Sequence, residues 1–136
     1  MNFGELFGSA EWVTCESGCT SPVIKGSFFI EKPGRAEITV CGLGFFRLWI
    51  SGREVSEDKF VPVNSQYCKR DLTAFEYPIT DELSYRTYAV RYDISKFLVG
   101  GENDIRAVLG CGWFAQKKRN AEGYTKYGDI KLCYKI

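Results

Sequence analysis

The chain of 136 residues contains no histidine. A nucleophilic serine or cysteine needs a base to activate it, and histidine is the side chain that most often supplies one. Its absence argues against a catalytic triad or a Cys–His dyad. No GxxxxGK[ST] or GxGxxG motif is present to open a helix, so the sequence gives no support for a nucleotide site either.

The sequence also lacks a clear pair of facing carboxylates, which most glycosidases use. Two acidic pairs, Glu57-Asp58 and Asp81-Glu82, lie in polar stretches. Adjacent residues of an extended chain point to opposite sides, so neither pair supplies two facing carboxylates. We interpret both pairs as solvated surface, and the sequence predicts no catalytic residue.

Charge and hydropathy argue against two further classes of partner. The formal net charge is +1 and no basic run is present, which argues against nucleic acid and anionic membranes. No apolar run reaches the ~18 residues of a membrane span. The first residues, MNFGELFGSAEW, lack the charged and apolar regions of a secretory signal. We therefore expect a cytoplasmic location.

An even number of cysteines would suit disulfides in a secreted protein, but no export signal supports that setting. The sequence has six: Cys15, Cys19, Cys41, Cys68, Cys111 and Cys133. Cys15 and Cys19 form a CxxxC pair, yet a structural zinc needs four ligands and no second close pair exists. We expect reduced structural thiols, with a disulfide as the alternative.

What the sequence does contain is alternation of apolar and polar residues, which is typical of sheets with one solvated face. This period of two predicts strands over residues 23–30, 35–41, 45–50, 84–93, 103–110 and 129–136. Ser51-Gly52 predicts a tight hairpin turn after the third of them. No segment of ten or more residues shows a helical period. The predicted fold is all-β: a single domain, residues 1–136, forming an antiparallel β-sandwich of the jelly-roll or galactose-binding type.

The most informative stretch is YDISKFLVGGENDIRAVLGCGWF, residues 92–114. Asp93 can accept hydrogen bonds from backbone N–H groups and so begin a short helical turn over residues 94–98. Gly100 and Gly101 then end that turn. A strand follows, and the residues predicted to point inward are Ile105, Ala107 and Leu109.

Several pieces in a fixed order carry a family resemblance. After Trp12 they are SPVIKGSFFIEKP, RAEITVCGLGFFRLWISGREV and YRTYAVRYDISKFLVGGENDIRAVLGCGWF. Together they resemble the N-terminal accessory domain of bacterial α-L-rhamnosidases. The departures are Ser51 in place of the hairpin asparagine, Ser95 in place of a threonine, and Val61-Pro62-Val63 in place of a D-P-G loop.

The resemblance implies a fragment of a larger multidomain glycosidase that removes terminal α-L-rhamnose with inversion. Catalysis would lie in a separate (α/α) barrel of the same polypeptide, and this chain would be non-catalytic alone. The expected partners are that barrel and a rhamnose-containing glycan. Two alternatives stay open: a sugar-binding domain of a β-galactosidase or β-glucuronidase type enzyme, and a β-sandwich for protein interaction.

Aromatic residues near the long irregular segment 57–83 and at the end of the last motif are candidate sugar contacts, because an aromatic face suits the apolar C–H side of a pyranose. The candidate ligand-binding residues are Trp113, Tyr67, Tyr85 and Asn64. For Trp113 the favoured alternative is packing in the core or against a neighbouring domain. Tyr88 shares a face with Val90 and Tyr92, so we expect it in the core.

The resemblance implies two possible roles, since some relatives bind rhamnose together with Ca²⁺ and others only support the barrel. The first role makes Asp93 and Asn103 candidate calcium ligands. Calcium takes six to eight oxygen ligands, and the sequence offers few. Capping and corner formation is therefore the favoured interpretation of both residues.

Overall fold

The computed structural model describes residues 1–16, 18–76, 81–116 and 126–136. Its elements within these ranges are α1 (Phe3–Phe7), β1 (Val13–Thr14), β2 (Val23–Ile30), β3 (Glu37–Leu43), β4 (Phe45–Ile50), β5 (Arg53–Glu54), β6 (Ala89–Asp93), a 3-10 helix (Ser95–Phe97), β7 (Gly101–Gly110) and β8 (Lys131–Lys135). None of these helices is long and apolar enough to cross a membrane.

The strands form two four-stranded antiparallel sheets. Sheet A has the order β1-β8-β3-β6, and sheet B has the order β2-β7-β4-β5. In sheet B the long central strand β7 places Ile105 opposite Gly26 of β2, and Ala107 opposite Leu48 of β4. The predicted all-β antiparallel sandwich is confirmed.

The core lies between the two sheets and is built by the alternating residues of the central strands. Ile105, Ala107 and Leu109 of β7 are buried, as predicted. They pack in one cluster with inward residues of the other strands, among them Ile38, Val40, Phe46, Leu48, Ile50 and Leu132. Each large aliphatic or aromatic side chain buried in this way contributes about 1.5–3 kcal/mol.

Two predicted turns are also confirmed. Ser51 and Gly52 have φ of 47° and 75°, the pair of positive values that a tight hairpin of the right twist requires. The Asp93 carboxylate accepts a hydrogen bond of 2.9 Å from the amide of Ser95, at the start of the 3-10 helix. These two corners fix where β4 and β6 end.

The helix α1 was not expected from the helical period, because it is only five residues long. A capping box begins it: the Asn2 side chain accepts from the amide of Glu5 at 3.0 Å, and the Glu5 carboxylate accepts from the amide of Asn2 at 2.8 Å. Phe7 is buried against Cys41 and Cys133, with Trp12 beside it. The helix thus covers part of the outer face of sheet A.

The prediction of a strand over residues 84–93 is wrong in its first half, since β6 begins only at Ala89. Tyr85 has a φ of 54°, which breaks the extended chain, and Tyr88 is 52% exposed rather than in the core. The preceding residues instead bond to the long segment: the amide of Arg86 donates to the Gln66 carbonyl at 2.9 Å. The polar composition of residues 116–125 predicts a loop, and this segment lies, apart from Gln116, outside the described residues.

Candidate functional site

Three of the four predicted ligand-binding residues line one cleft. Asn64, Tyr67 and Trp113 come from two distant parts of the chain and meet around about 360 Å³ of empty space, open mouth included. The cleft is completed by Ser65, Gln66, Gln116 and Tyr127.

Trp113 lies on a tight turn that follows β7. Gly112 has a φ of 51°, and the amide of Ala115 donates to the Cys111 carbonyl at 3.0 Å. This reversal sends Phe114 into the core and leaves Trp113 43% exposed. Core packing for Trp113 is therefore wrong, while contact with a sugar or a neighbouring domain stays a prediction.

Tyr67 forms the aromatic wall of the cleft. Its ring meets Phe114 edge-on with centroids 5.1 Å apart, and it tilts against Tyr127 at 5.4 Å. Partial burial raises the pKa of the Tyr67 hydroxyl, and hydrogen bonding with Ser65 opposes this shift. The ring is held in place by its aromatic neighbours, which gives the cleft one rigid side.

Hydrogen bonds made by Ser65 and Gln66 hold the polar side of the cleft. The Ser65 hydroxyl donates to the Arg86 carbonyl at 2.6 Å, and the Gln66 side chain donates to the Cys68 sulfur at 3.1 Å. Asn64 is exposed at the rim. Gln66, Gln116 and Tyr127 line the cleft but were not predicted from the sequence. The two glutamines could have been suggested by their positions near Tyr67 and Trp113, whereas no sequence signal indicated Tyr127.

Tyr85 is not brought to this cleft. It lines a second cleft between α1 and the start of β6, together with Phe3 and Tyr88. Its side chain is exposed, and the amide of Tyr85 donates to the Cys68 carbonyl at 3.4 Å. The predicted set therefore divides into three residues that share a cleft and one that lies apart.

The side chain of Asn103 does not fit a calcium site. Asn103 is buried, and its Oδ1 already accepts from the Val99 amide at 2.9 Å and from the Ser51 hydroxyl at 3.0 Å. Its Nδ2 donates to the carbonyls of Val99 and Gly101. In the described ranges no three His, Cys, Asp or Glu side chains are grouped to hold a metal. Asn103 and Asp93 both shape the corner around the 3-10 helix, which was the favoured interpretation.

Three aspartates in the part of the chain that the structure describes have pKa values shifted in the direction that disfavours a general acid. Hydrogen bonds from Thr73, Ser84 and Ser95 lower the pKa of Asp71, Asp81 and Asp93 respectively. A glycosidase acid needs a raised pKa, so that it keeps its proton near neutral pH. These three aspartates are ionised acceptors in local turns.

Comparisons with known proteins agree with this architecture. The family model of the alpha-L-rhamnosidase N-terminal domain matches residues 31–136. A curated alpha-L-rhamnosidase from Formosa agariphila is 30% identical over 81 residues, which is 60% of this chain and 7% of that protein. The chain thus spans a small part of that relative.

Solved structures with the same fold come from much longer chains. Native alpha-L-rhamnosidase from Aspergillus terreus superposes with a TM-score of 0.76 at 18% identity, over 98% of this chain and 15% of that one. Alpha-L-rhamnosidase from Streptomyces avermitilis, complexed with L-rhamnose, gives 0.64 at 22% identity, over 85% of this chain and 10% of that one. The family model matches most of the length of this chain, residues 31–136, and the chain therefore belongs to the family of alpha-L-rhamnosidase N-terminal domains.

Proposed function

We propose that the chain is a non-catalytic domain of a larger α-L-rhamnosidase-like glycoside hydrolase, and that its cleft at Asn64, Tyr67 and Trp113 holds a rhamnose-containing glycan. Catalysis would belong to a separate (α/α) barrel of the same polypeptide. The observation that carries the sugar-holding role is the exposed Trp113 ring at the mouth of a cleft with side-chain amides beside it.

The chemistry of the cleft suits a sugar. The flat face of Trp113 offers an apolar surface to the C–H side of a pyranose, and the amides of Asn64 and Gln116 can both donate to and accept from hydroxyl groups. A shallow cleft with one stacking ring supports weak binding. A Kd on the order of 1 mM corresponds to about −4 kcal/mol.

Titration of the chain with L-rhamnose, followed by NMR chemical shifts, tests the sugar-holding role. We expect saturable shifts for cleft residues, and we expect Trp113→Ala to weaken binding at least about tenfold, the equivalent of ~1.4 kcal/mol. Tyr85→Ala is the matched control, because it removes an exposed aromatic ring outside the cleft. Circular dichroism would check that both variants fold.

Two outcomes contradict the sugar-holding role: no shifts in the wild-type chain at high millimolar L-rhamnose, or equal loss of binding in the two variants. Repeating the titration with Ca²⁺ tests the fit of Asp93 and Asn103. Because Asn103 has no spare oxygen lone pair, we expect the same affinity with and without the metal.

The non-catalytic role has its own assay. We expect the chain to show no turnover of an aryl α-L-rhamnoside above the uncatalysed rate, because its adjacent acidic pairs, Glu57-Asp58 and Asp81-Glu82, do not supply two facing carboxylates. Robust turnover that survives repurification of the chain would contradict this part of the proposal.

A second candidate role, bracing the barrel, is favoured by an apolar groove on the outer face of sheet B. Phe45, Phe60 and Val108 line this groove, which holds about 570 Å³ of empty space with its open mouth included, and Phe60 is 74% exposed. In the full-length protein that the proposal requires, Phe60→Asp should lower the thermal midpoint of the barrel if the groove packs on it. An unchanged midpoint would contradict the bracing role, and sugar holding would then be the remaining candidate role.

A further inference from the structure

Two cysteines face each other across sheet A. Cys41 of β3 and Cys133 of β8 are direct partners in the antiparallel register. Both are buried, and they pack together with Phe7 in a small cluster on the outer face of the sheet. This cluster is separate from the main core, in which neither cysteine takes part.

The geometry of an antiparallel pair matches the span of a disulfide. Residues directly opposite each other have Cα atoms about 4.5–5.5 Å apart. A disulfide joins Cα atoms about 4.4–6.8 Å apart. Because β3 and β8 are held in this register by their backbone hydrogen bonds, the Cα atoms of Cys41 and Cys133 are within the span that a disulfide bridges.

We propose that Cys41 and Cys133 are a dithiol modification site, which a small disulfide such as oxidised glutathione converts into a cross-strand disulfide. The inference concerns the outer face of sheet A and does not depend on the proposed function. In the reduced protein both cysteines are buried side chains that pack against Phe7.

A path for the oxidant leads to Cys41. The cleft between α1 and the start of β6 holds about 830 Å³ of empty space, open mouth included, and Cys41 is among its lining residues. The sulfur of Cys41 lies 3.2 Å from the Thr87 hydroxyl, which also lines the cleft. Cys133 is not among the lining residues, so Cys41 is the thiol that a solute meets first.

The chemistry proceeds by two exchanges. The Cys41 thiolate attacks one sulfur of oxidised glutathione, which forms a mixed disulfide and releases one glutathione thiol. The Cys133 thiolate then attacks the Cys41 sulfur and releases the second glutathione thiol. The two protein thiols are oxidised to one disulfide, the glutathione disulfide is reduced to two thiols, and the two protons pass to the released thiolates.

Burial sets the pace of these exchanges. It raises the pKa of both thiols, that of Cys133 to about 11, while the hydrogen bond with Thr87 favours the thiolate of Cys41. The thiolate is the reacting form, so we expect slow modification at neutral pH that begins at Cys41.

Peptide mapping tests the site. The native chain is incubated with oxidised glutathione, the remaining thiols are alkylated, and the digest is analysed by mass spectrometry without reduction. We expect a Cys41–Cys133 linked peptide in most of the protein, which disappears after treatment with a reducing thiol. Cys133→Ala should stop the reaction at the glutathione adduct of Cys41, whereas Cys68→Ala should form the linked peptide as the wild type does.

Two results would overturn the proposal: a linked peptide that forms only after unfolding in urea, or a wild-type chain that keeps Cys41 and Cys133 alkylatable after long native incubation. The wild-type map decides the question by itself. A Cys133→Ala variant that failed to fold, as judged by circular dichroism, would therefore not weaken the test.

Discussion

Asn103 is a buried side chain whose four hydrogen bonds tie together the corner before β7. Replacing it by alanine leaves the Val99 amide and the carbonyls of Val99 and Gly101 without these partners. A buried group left unsatisfied costs about 1–3 kcal/mol. We expect Asn103→Ala to lower the free energy of unfolding by at least that amount, measured by urea denaturation.

The matched control for this change is Glu102→Ala, which removes an exposed side chain one position earlier on the same strand. Its expected effect is within about 0.5 kcal/mol. Equal, small effects of the two substitutions would show that the Asn103 hydrogen bonds contribute little, and the corner would then depend on Asp93 and the backbone.

Cys133 makes the stability of the domain sensitive to alkaline pH. Burial raises the pKa of its thiol from 9.0 to about 11, so the unfolded chain gives up this proton at a lower pH than the folded chain. The stabilisation is fully present below pH 9.0 and is lost as the pH rises to about 11, because the unfolded state then binds fewer protons. Two pKa units correspond to about 2–3 kcal/mol.

Urea denaturation at a series of pH values from about 8 to 11 measures this dependence. We expect the free energy of unfolding to fall less steeply with pH in Cys133→Ala than in the wild type. Identical slopes in the two proteins would show that the Cys133 thiol does not contribute to the pH dependence.

At Gly52, in the β4–β5 hairpin, the energetic cost of a positive φ can be measured without a change in side-chain contacts. Gly52 has a φ of 75°, and a Cβ added there meets no atom within 4 Å. A left-handed conformation costs an L-residue about 1–2 kcal/mol, so Gly52→Ala should destabilise the domain by roughly 1 kcal/mol in thermal or urea unfolding.

Gly34 provides the comparison for this hairpin. A Cβ added at Gly34 also meets no atom within 4 Å, and this residue is not among the glycines with a positive φ. Gly34→Ala should therefore leave stability unchanged or slightly raised, since alanine restricts the unfolded chain. If the two variants unfold alike, the turn at Gly52 tolerates a side chain and the hairpin is not set by its φ.

The strands were predictable where apolar and polar side chains alternate, because successive side chains of a strand point to opposite faces and one face is buried. The failure at residues 84–88 has a specific cause: Tyr88 follows the alternation, but Tyr85 adopts a positive φ and Arg86 bonds to Gln66, 20 positions away. For the helix α1, the only signal in the sequence is the capping pair Asn2 and Glu5. Periodicity detects neither a pairing between distant loops nor a helix of little more than one turn.

The cleft was predictable in its residue types but not in its assembly. Trp113, Tyr67 and Asn64 stood out because aromatic and amide groups adjoin long or turning segments. These three residues meet because two loops are positioned by the folded sandwich. The turn at Gly112 places Trp113, and the hydrogen bond from Ser65 to the Arg86 carbonyl holds the loop that carries Asn64 and Tyr67. Such placement is a property of the folded sheets, and it sends Tyr85, which also adjoins the long irregular segment, to the second cleft.

The two sheets share one core, so the domain should open as a single cooperative unit. Side chains of β3 and β8 in sheet A interlock with those of β4 and β7 in sheet B in a single cluster. Amide hydrogen exchange should therefore be slowest, and of similar free energy, in these four central strands. The edge strands β1 and β5, each of two residues, should exchange much faster. Protection confined to one sheet would mean that the other sheet unfolds alone, and that the shared core is too weak to make the two sheets a single cooperative unit.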